Sequence, residues 1–268
     1  MDRPPLSITS KRPDTTTMTQ SDGHHDGTAT KTIGVLGGMS AESTVEYYTG
    51  LNDGINDALG GHHAAEVVIR SVDFGVVERC IRTDAWDEAA DYLTAAAREL
   101  ERGGADVVLM ATNTMHEVAP AIIDALSIPF VHIVDPTAEA IVDAGIDTIG
   151  LLGTQSTMAS SRYRDRFEEH GIDVLVPGES DRERLEAVIF DELTRGRVEA
   201  DSLADAIEMV DRLAERGAGG IVLGCTELEL LLSPGDVPEV SLFDTTALHV
   251  ERGVELALEG VGADGHDD

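Results

Sequence analysis

Two apolar runs in this chain end on side chains that could do chemistry. "ADVVLMATNT" (105–114) passes from Val107, Val108, Leu109 and Met110 through Ala111 to Thr112, Asn113 and Thr114, the pattern of a buried strand breaking into a polar tip. It aligns with "AGGIVLGCTE" (218–227) at an offset of 113, which sets Thr112 opposite Cys225, Asn113 opposite Thr226 and Thr114 opposite Glu227. Facing each other across a cleft, a thiol and a hydroxyl flank whatever lies between them. Inverting a carbon stereocentre needs such an arrangement, because one group removes a proton and another returns one from the far side. A cysteine can act as the base, since its reference pKa of about 8.5 is readily lowered by a helix N-terminus or a cation. A threonine hydroxyl has no accessible ionisation in water.

The elements that must hold these tips are legible around them. From Lys31 onward short apolar runs alternate with helix-period segments: "TIGVLGG", "AESTVEYYTGLNDGI", "AEVVIRSVDF", "WDEAADYLTAAARELERGG", "ADVVLMATN". That alternation predicts βαβ units in a parallel sheet, and strands without polar alternation predict helices on both faces. Two more segments repeat in the same order. "IGVLGGMS" (33–40) matches "IGLLGTQS" (149–156), and "IPFVHIVDPT" (128–137) matches "VPEVSLFDTT" (237–246). The expectation is an α/β fold of two similar parallel-sheet halves related by a pseudo-twofold, with the ligand cleft between their strand ends. The expected limits are 31–145 for the first half, completed by a C-terminal helix over 246–258, and 146–245 for the second. Residues 1–30 and 259–268 are too poor in apolar residues to fold and read as disordered tails, with Met18 a candidate start.

Other polar groups near the tips carry two readings each. Met39 and Ser40, after Gly37-Gly38, are candidates for contacting a substrate carboxylate, or they close a tight turn; no Walker lysine or G-x-G-x-x-G accompanies them. Ser43 reads as a helix-start hydroxyl. His116, one helical turn beyond Thr112, supports the site or a hydrogen-bond network. Glu227 is a supporting base or a favourable charge at a helix start. Asp135 and Asp244 read as loop caps or site supports. His62, His63, His116 and His132 match no zinc spacing, so no metal is expected. Cys80 lies in an amphipathic stretch and reads as core.

The motifs "LGGMSAESTVEYYTGLN" (36–52), "SVDF" (71–74), "NTMH" (113–116), "GLLGTQSTM" (150–158), "GCTEL" (224–228) and "LFDTT" (242–246) occur in order, and with them the chain resembles the aspartate/glutamate racemases across 31–258. The resemblance implies a cofactor-independent amino-acid racemase, commonly a dimer, with two cysteines flanking the substrate Cα. Cys225 is the second of these by that resemblance, and Thr112 stands where the first would be, as in some family members. A symmetrical two-thiol mechanism is thereby ruled out. The expectation is that Cys225 moves the proton on one face, that Thr112 holds a water or a weaker donor on the other, and that Asn113, Thr114 and Thr226 bind the α-carboxylate. A side-chain carboxylate on aspartate or glutamate needs a cation, for which Arg182 and Arg70 are the candidates. A histidine often stands in the family where Glu186 stands here. Two further readings stay open: a single-cysteine decarboxylase or isomerase of the same superfamily, and a non-catalytic amino-acid binder.

Bulk composition narrows the partners. The 268 residues carry 51 acidic and 19 basic side chains, a formal charge of -32, and only Lys11 and Lys31 are lysines. Such a charge repels nucleic-acid and lipid phosphates, so neither is an expected partner. The scatter of acids over many helix faces predicts adaptation to high salt, where screening removes self-repulsion. Two cysteines make no disulfide framework, and no apolar run reaches membrane-spanning length, which together predict a reducing, cytoplasmic setting.

Overall fold

The computed structural model describes residues 30–261. The expected disordered tails, Met18 among them, lie outside these residues except for their inner ends. Four strands, β1 (Ile33–Gly37), β2 (Val67–Ser71), β3 (Val107–Met110) and β4 (Phe130–Val131), form a parallel sheet in the order β2-β1-β3-β4. Four more, β5 (Thr148–Gly153), β6 (Asp173–Leu175), β7 (Gly220–Gly224) and β8 (Ser241–Asp244), repeat it as β6-β5-β7-β8. Every pairing is parallel. The first half carries helices α1 (Ala41–Leu59), α2 (Phe74–Arg82), α3 (Trp86–Arg102), α4 (Ala119–Ala125) and α5 (Val134–Asp143). The second carries α6 (Gln155–Ala159), α7 (Ser161–Glu169), α8 (Glu179–Asp191), α9 (Ala200–Glu215) and α10 (Thr245–Leu258). Short 3-10 turns follow the tips of β3 (Thr114–Val118) and β7 (Thr226–Leu230).

Side chains of β1 and β3 divide between two layers, as the period of a strand requires. Leu36, Val108 and Met110 pack with Leu93, Ala97 and Leu100 of α3, while Ile33, Val35, Val107 and Leu109 pack with Tyr47, Leu51 and Ile55 of α1. The second half has one continuous core around Leu151, Ile221 and Val222. Cys80 is fully buried in the first core.

The two halves exchange their last helices. Val250 and Ala257 of α10 belong to the first core, whereas Ile133, Val134, Ala138 and Ile141, at and after the end of β4, belong to the second. The limit expected at residue 145 therefore falls one helix too late in packing terms. Amphipathic periodicity shows that a helix buries a face, without showing which sheet receives it. Small residues make the exchange tight: a Cβ at Gly54 would lie 2.7 Å from Val254 Cγ2, and one at Gly253 would lie 2.6 Å from Leu109 Cδ1 and 3.1 Å from Leu51 Cδ2. Gly253→Val is expected to destabilise the protein by about 2 kcal/mol through this overpacking, read as a lower midpoint in guanidinium unfolding.

Candidate functional site

The carboxyl ends of β1, β3, β5 and β7 converge on one cavity of about 670 Å³ between the halves. The order of each sheet changes direction between its central strands, so both halves present their open crevice to the same space. Met39 and Ser40 line it from β1, Thr112 to Met115 from β3, Thr154 and Ser156 from β5, and Gly224 to Glu227 from β7. The paired tips read from the repeat thus meet in a single cleft.

Cys225 follows the last residue of β7, half-buried, with extended backbone leading into the 3-10 turn. Its Sγ donates to Glu227 Oε2 at 3.0 Å, and the same oxygen accepts from Thr226 Oγ1 at 2.7 Å. Burial pushes the thiol well above its ordinary pKa, and the nearby Glu227 and Glu186 carboxylates push the same way. The resting sulfur is therefore a protonated thiol with a carboxylate placed to take its proton. Glu186 accepts from the Gln155 N–H at 2.7 Å, and burial raises its own pKa.

Across the cleft Thr112 is 8% exposed, and no hydrogen bond of its hydroxyl to another described residue is found. Its carbonyl accepts from His116 Nδ1 at 2.8 Å, while His116 Nε2 accepts from the Ile133 N–H at 3.1 Å. The two bonds fix one neutral tautomer, which burial and the neighbouring His132 and His249 keep uncharged. His116 thus holds the main chain of the β3 tip and does not line the cavity. Asn113 binds the halves together: its Oδ1 accepts from Tyr163 OH at 2.7 Å and its Nδ2 donates to Thr245 Oγ1 at 3.0 Å. Thr114 Oγ1 lies 3.1 Å from Thr154 Oγ1 and 3.0 Å from Thr157 Oγ1 in a triangle of hydroxyls.

The Gly37-Gly38 turn serves the fold. Gly38 has φ +90°, a Cβ there would lie 2.3 Å from the Val72 carbonyl oxygen, and its N–H donates to Thr44 Oγ1 at 2.7 Å. That amide is not available to an anion. Ser40 caps α1 by accepting from the Ser43 N–H, and Ser43, beyond its expected helix-start role, reaches across to Thr226 Oγ1 at 2.8 Å.

Neither expected arginine lines the cavity. Arg70 turns away on edge strand β2, pairing with Glu99 at 2.5 Å and the Ser71 carbonyl oxygen. Arg182 lies in the first turn of α8, one turn before the cavity-lining Glu186. The basic residue that does line it is Arg82, at the end of α2, 3.3 Å from Glu78. The amphipathic pattern around Cys80 gave α2 only a core face, yet Asp73 caps this helix directly after the β2 end, so Phe74, Val77, Glu78, Ile81 and Arg82 form a second face toward the strand tips. Asp135 pairs with Arg166 at 2.7 and 2.9 Å, and Asp244 caps α10; neither lines the cavity. Among the described residues no group of three or more His, Cys, Asp or Glu is arranged to hold a metal ion, and no helix is long and apolar enough to cross a membrane.

Burial holds His132 down at about 4 and His249 at about 3, while burial and Asp244 push Glu46 up to about 7 and Glu229 to about 8. The signs oppose. Below about pH 6.5 the unfolded chain binds protons on histidines that the folded chain keeps neutral, so stability drops as the pH drops; His132 alone contributes a loss on the order of 2 kcal/mol by pH 5. Above the ordinary carboxylate range the folded chain holds protons on Glu46 and Glu229 that the unfolded chain has released, so stability falls again as pH rises toward 8. Guanidinium midpoints are expected to peak near about pH 6.

Known structures share this arrangement. A Yersinia pestis crystal structure provisionally named an Asp/Glu racemase superposes with TM-score 0.81 at 42% identity, covering 85% of this chain and 99% of that one. An aspartate racemase homologue from Pyrococcus horikoshii OT3 gives TM-score 0.76 at 33% identity, with the same coverages. Among curated sequences, a glutamate racemase of Thermus thermophilus is 29% identical over 188 residues, 68% of this chain and 63% of that protein, so the chain spans somewhat under two thirds of that relative. The residues from the end of β1 to α10, which carry all the strand tips described, match one family description in an unbroken span. By that match over residues 36–253, the chain belongs to the Asp/Glu/hydantoin racemase family.

Proposed function

We propose that the protein racemises an acidic amino acid, aspartate or glutamate, without a cofactor, using Cys225 as its single proton-transferring thiol. The observation that carries the reading is the Cys225 Sγ to Glu227 Oε2 hydrogen bond of 3.0 Å inside the cleft that Thr112, Asn113 and Thr114 line from the other half. Glu227 takes the thiol proton, and the thiolate then removes the proton from the substrate Cα. The Glu227 N–H opposes the cost of thiolate formation. Main-chain N–H groups opening the turns at Thr114 and Thr226 hold the α-carboxylate and the enediolate charge that develops on it. On the other face a water held by Thr112 delivers a proton from solvent, and Glu227 releases its proton to solvent, which balances the cycle.

Arg82 is the group that meets a second carboxylate in this reading. Arg82→Ala is expected to raise KM for the acidic substrate about tenfold with kcat little changed, because a contact remote from Cα binds ground state and transition state alike. A homodimer in a reducing cytoplasm, working at high salt, belongs to the same reading and is supported by the resemblance and the composition.

The test is proton NMR of L- and D-aspartate and L- and D-glutamate in D2O at high salt, with wild type beside Cys225→Ser. Loss of the Cα proton from one acidic amino acid, absent in the variant, is the expected result. Binding without exchange of any of the four would overturn the reading and favour an amino-acid binder or a single-cysteine decarboxylase.

A further inference from the structure

A second cavity of about 490 Å³ lies beside the first, lined by Glu46, Glu229, Val45 and Leu230. Glu42, Ser43, Thr226 and Glu227 line both cavities and so form the partition between them. Hydrogen bonds run through that partition from the catalytic sulfur: Cys225 Sγ to Glu227 at 3.0 Å, Thr226 Oγ1 to Glu227 at 2.7 Å, Ser43 Oγ to Thr226 Oγ1 at 2.8 Å and Ser40 Oγ to Ser43 Oγ at 2.9 Å. A carboxylate accepts only, so Thr226 gives its proton to Glu227, Ser43 to Thr226 and Ser40 to Ser43. The row is polarised toward Glu227 and holds that carboxylate against the sulfur with one edge open to the second cavity.

We propose that the proton Cys225 gives up leaves through Glu227 into this second cavity, where Glu46 and Glu229 take it and exchange it with solvent while substrate fills the first. The inference rests on the racemase reading. Substrate in the first cavity would otherwise seal the thiol from water, and a sealed thiol returns the same proton to the same face. Glu46, on α1, and Glu229, on the turn after β7, face each other, Asp244 at the end of β8, and Glu227. Burial beside these like charges leaves both partly protonated near neutrality, which suits groups that pass a proton on. The transfer is balanced: the S–H bond breaks, an O–H bond forms on Glu227, and that proton moves to a Glu46 or Glu229 carboxylate and then to water.

The experiment compares two events in D2O on protiated L- and D-aspartate and glutamate, with wild type and the double variant Glu46→Gln, Glu229→Gln. One is deuterium entering Cα of the unreacted enantiomer; the other is inversion. Rapid thiol exchange makes deuterium entry frequent for each inversion. In the double variant this ratio is expected to fall about tenfold while inversion itself changes far less, since neither residue lines the substrate cavity. Glutamine keeps the shape and removes charge repulsion, and circular dichroism checks the fold. Leu230→Trp, which narrows the second cavity and leaves both carboxylates in place, is expected to lower the ratio as well. Unchanged ratios in both variants overturn the proposal and leave the racemase reading standing. Absence of any Cα exchange in wild type overturns that reading, and the proposal with it.

Discussion

Replacing Cys225 by alanine is expected to lower kcat/KM for Cα proton exchange by about 10³-fold while leaving the unfolding midpoint nearly unchanged. The expectation follows from what else the cleft contains. Thr112 cannot ionise, and His116 is buried with both ring nitrogens engaged by main chain. Glu227 would have to reach Cα itself, whereas its Oε2 is held by Thr226 and the thiol. Loss of a positioned acid or base costs about 10²- to 10⁴-fold, and in the proposed reaction Cys225 is the base that removes the Cα proton. Cys225 lines the cavity and only borders the second core, so removing its sulfur leaves little new void. An alanine variant retaining a tenth of wild-type exchange would show that some other group abstracts the proton.

Asn113→Ala is expected to destabilise the protein by about 3 kcal/mol. Asn113 is 4% exposed, and its amide joins Tyr163 of α7 to Thr245 at the start of α10, whose hydroxyl in turn donates to the Leu223 carbonyl oxygen at 2.9 Å. Truncation leaves the Tyr163 hydroxyl, in a side chain 2% exposed, without its acceptor, and an orphaned buried donor costs about 1–3 kcal/mol on top of the lost contacts. Tyr163→Phe removes the orphan. The double variant should therefore be less destabilised than the two single losses added together, a coupling of about 1 kcal/mol in guanidinium titrations. Strict additivity would mean that the tyrosine finds another partner.

Strand positions and the meeting of the tips were legible because an internal repeat constrains three dimensions with one dimension of pattern. Matching "ADVVLMATNT" to "AGGIVLGCTE" places Thr112 and Cys225 at equivalent strand ends, and the two sheets have the same order. The cation was not legible in the same way. Arg70 is adjacent in sequence to "SVDF", but on an edge strand successive side chains alternate faces, and α3 offered Glu99 on the face Arg70 takes. Arg82 reaches the cavity because the Asp73 cap sets the direction in which α2 leaves the sheet, a choice made by a single side chain. The Ser43 to Thr226 bond, between residues 183 apart, depends on how the halves are set against each other and has no trace in either local sequence.

The exchange of α5 and α10 bears on how the chain is made. The first sheet is encoded by residue 131, but the layer of α10 that covers Leu109 and Ile33 ends only at Leu258. During synthesis, at about 5–20 residues per second, the first sheet waits about 6–25 s with α1 alone covering that face. A ribosome-bound chain stopped before residue 245 should thus remain a chaperone client, because the first core is complete only when α10 packs against α1 and β3.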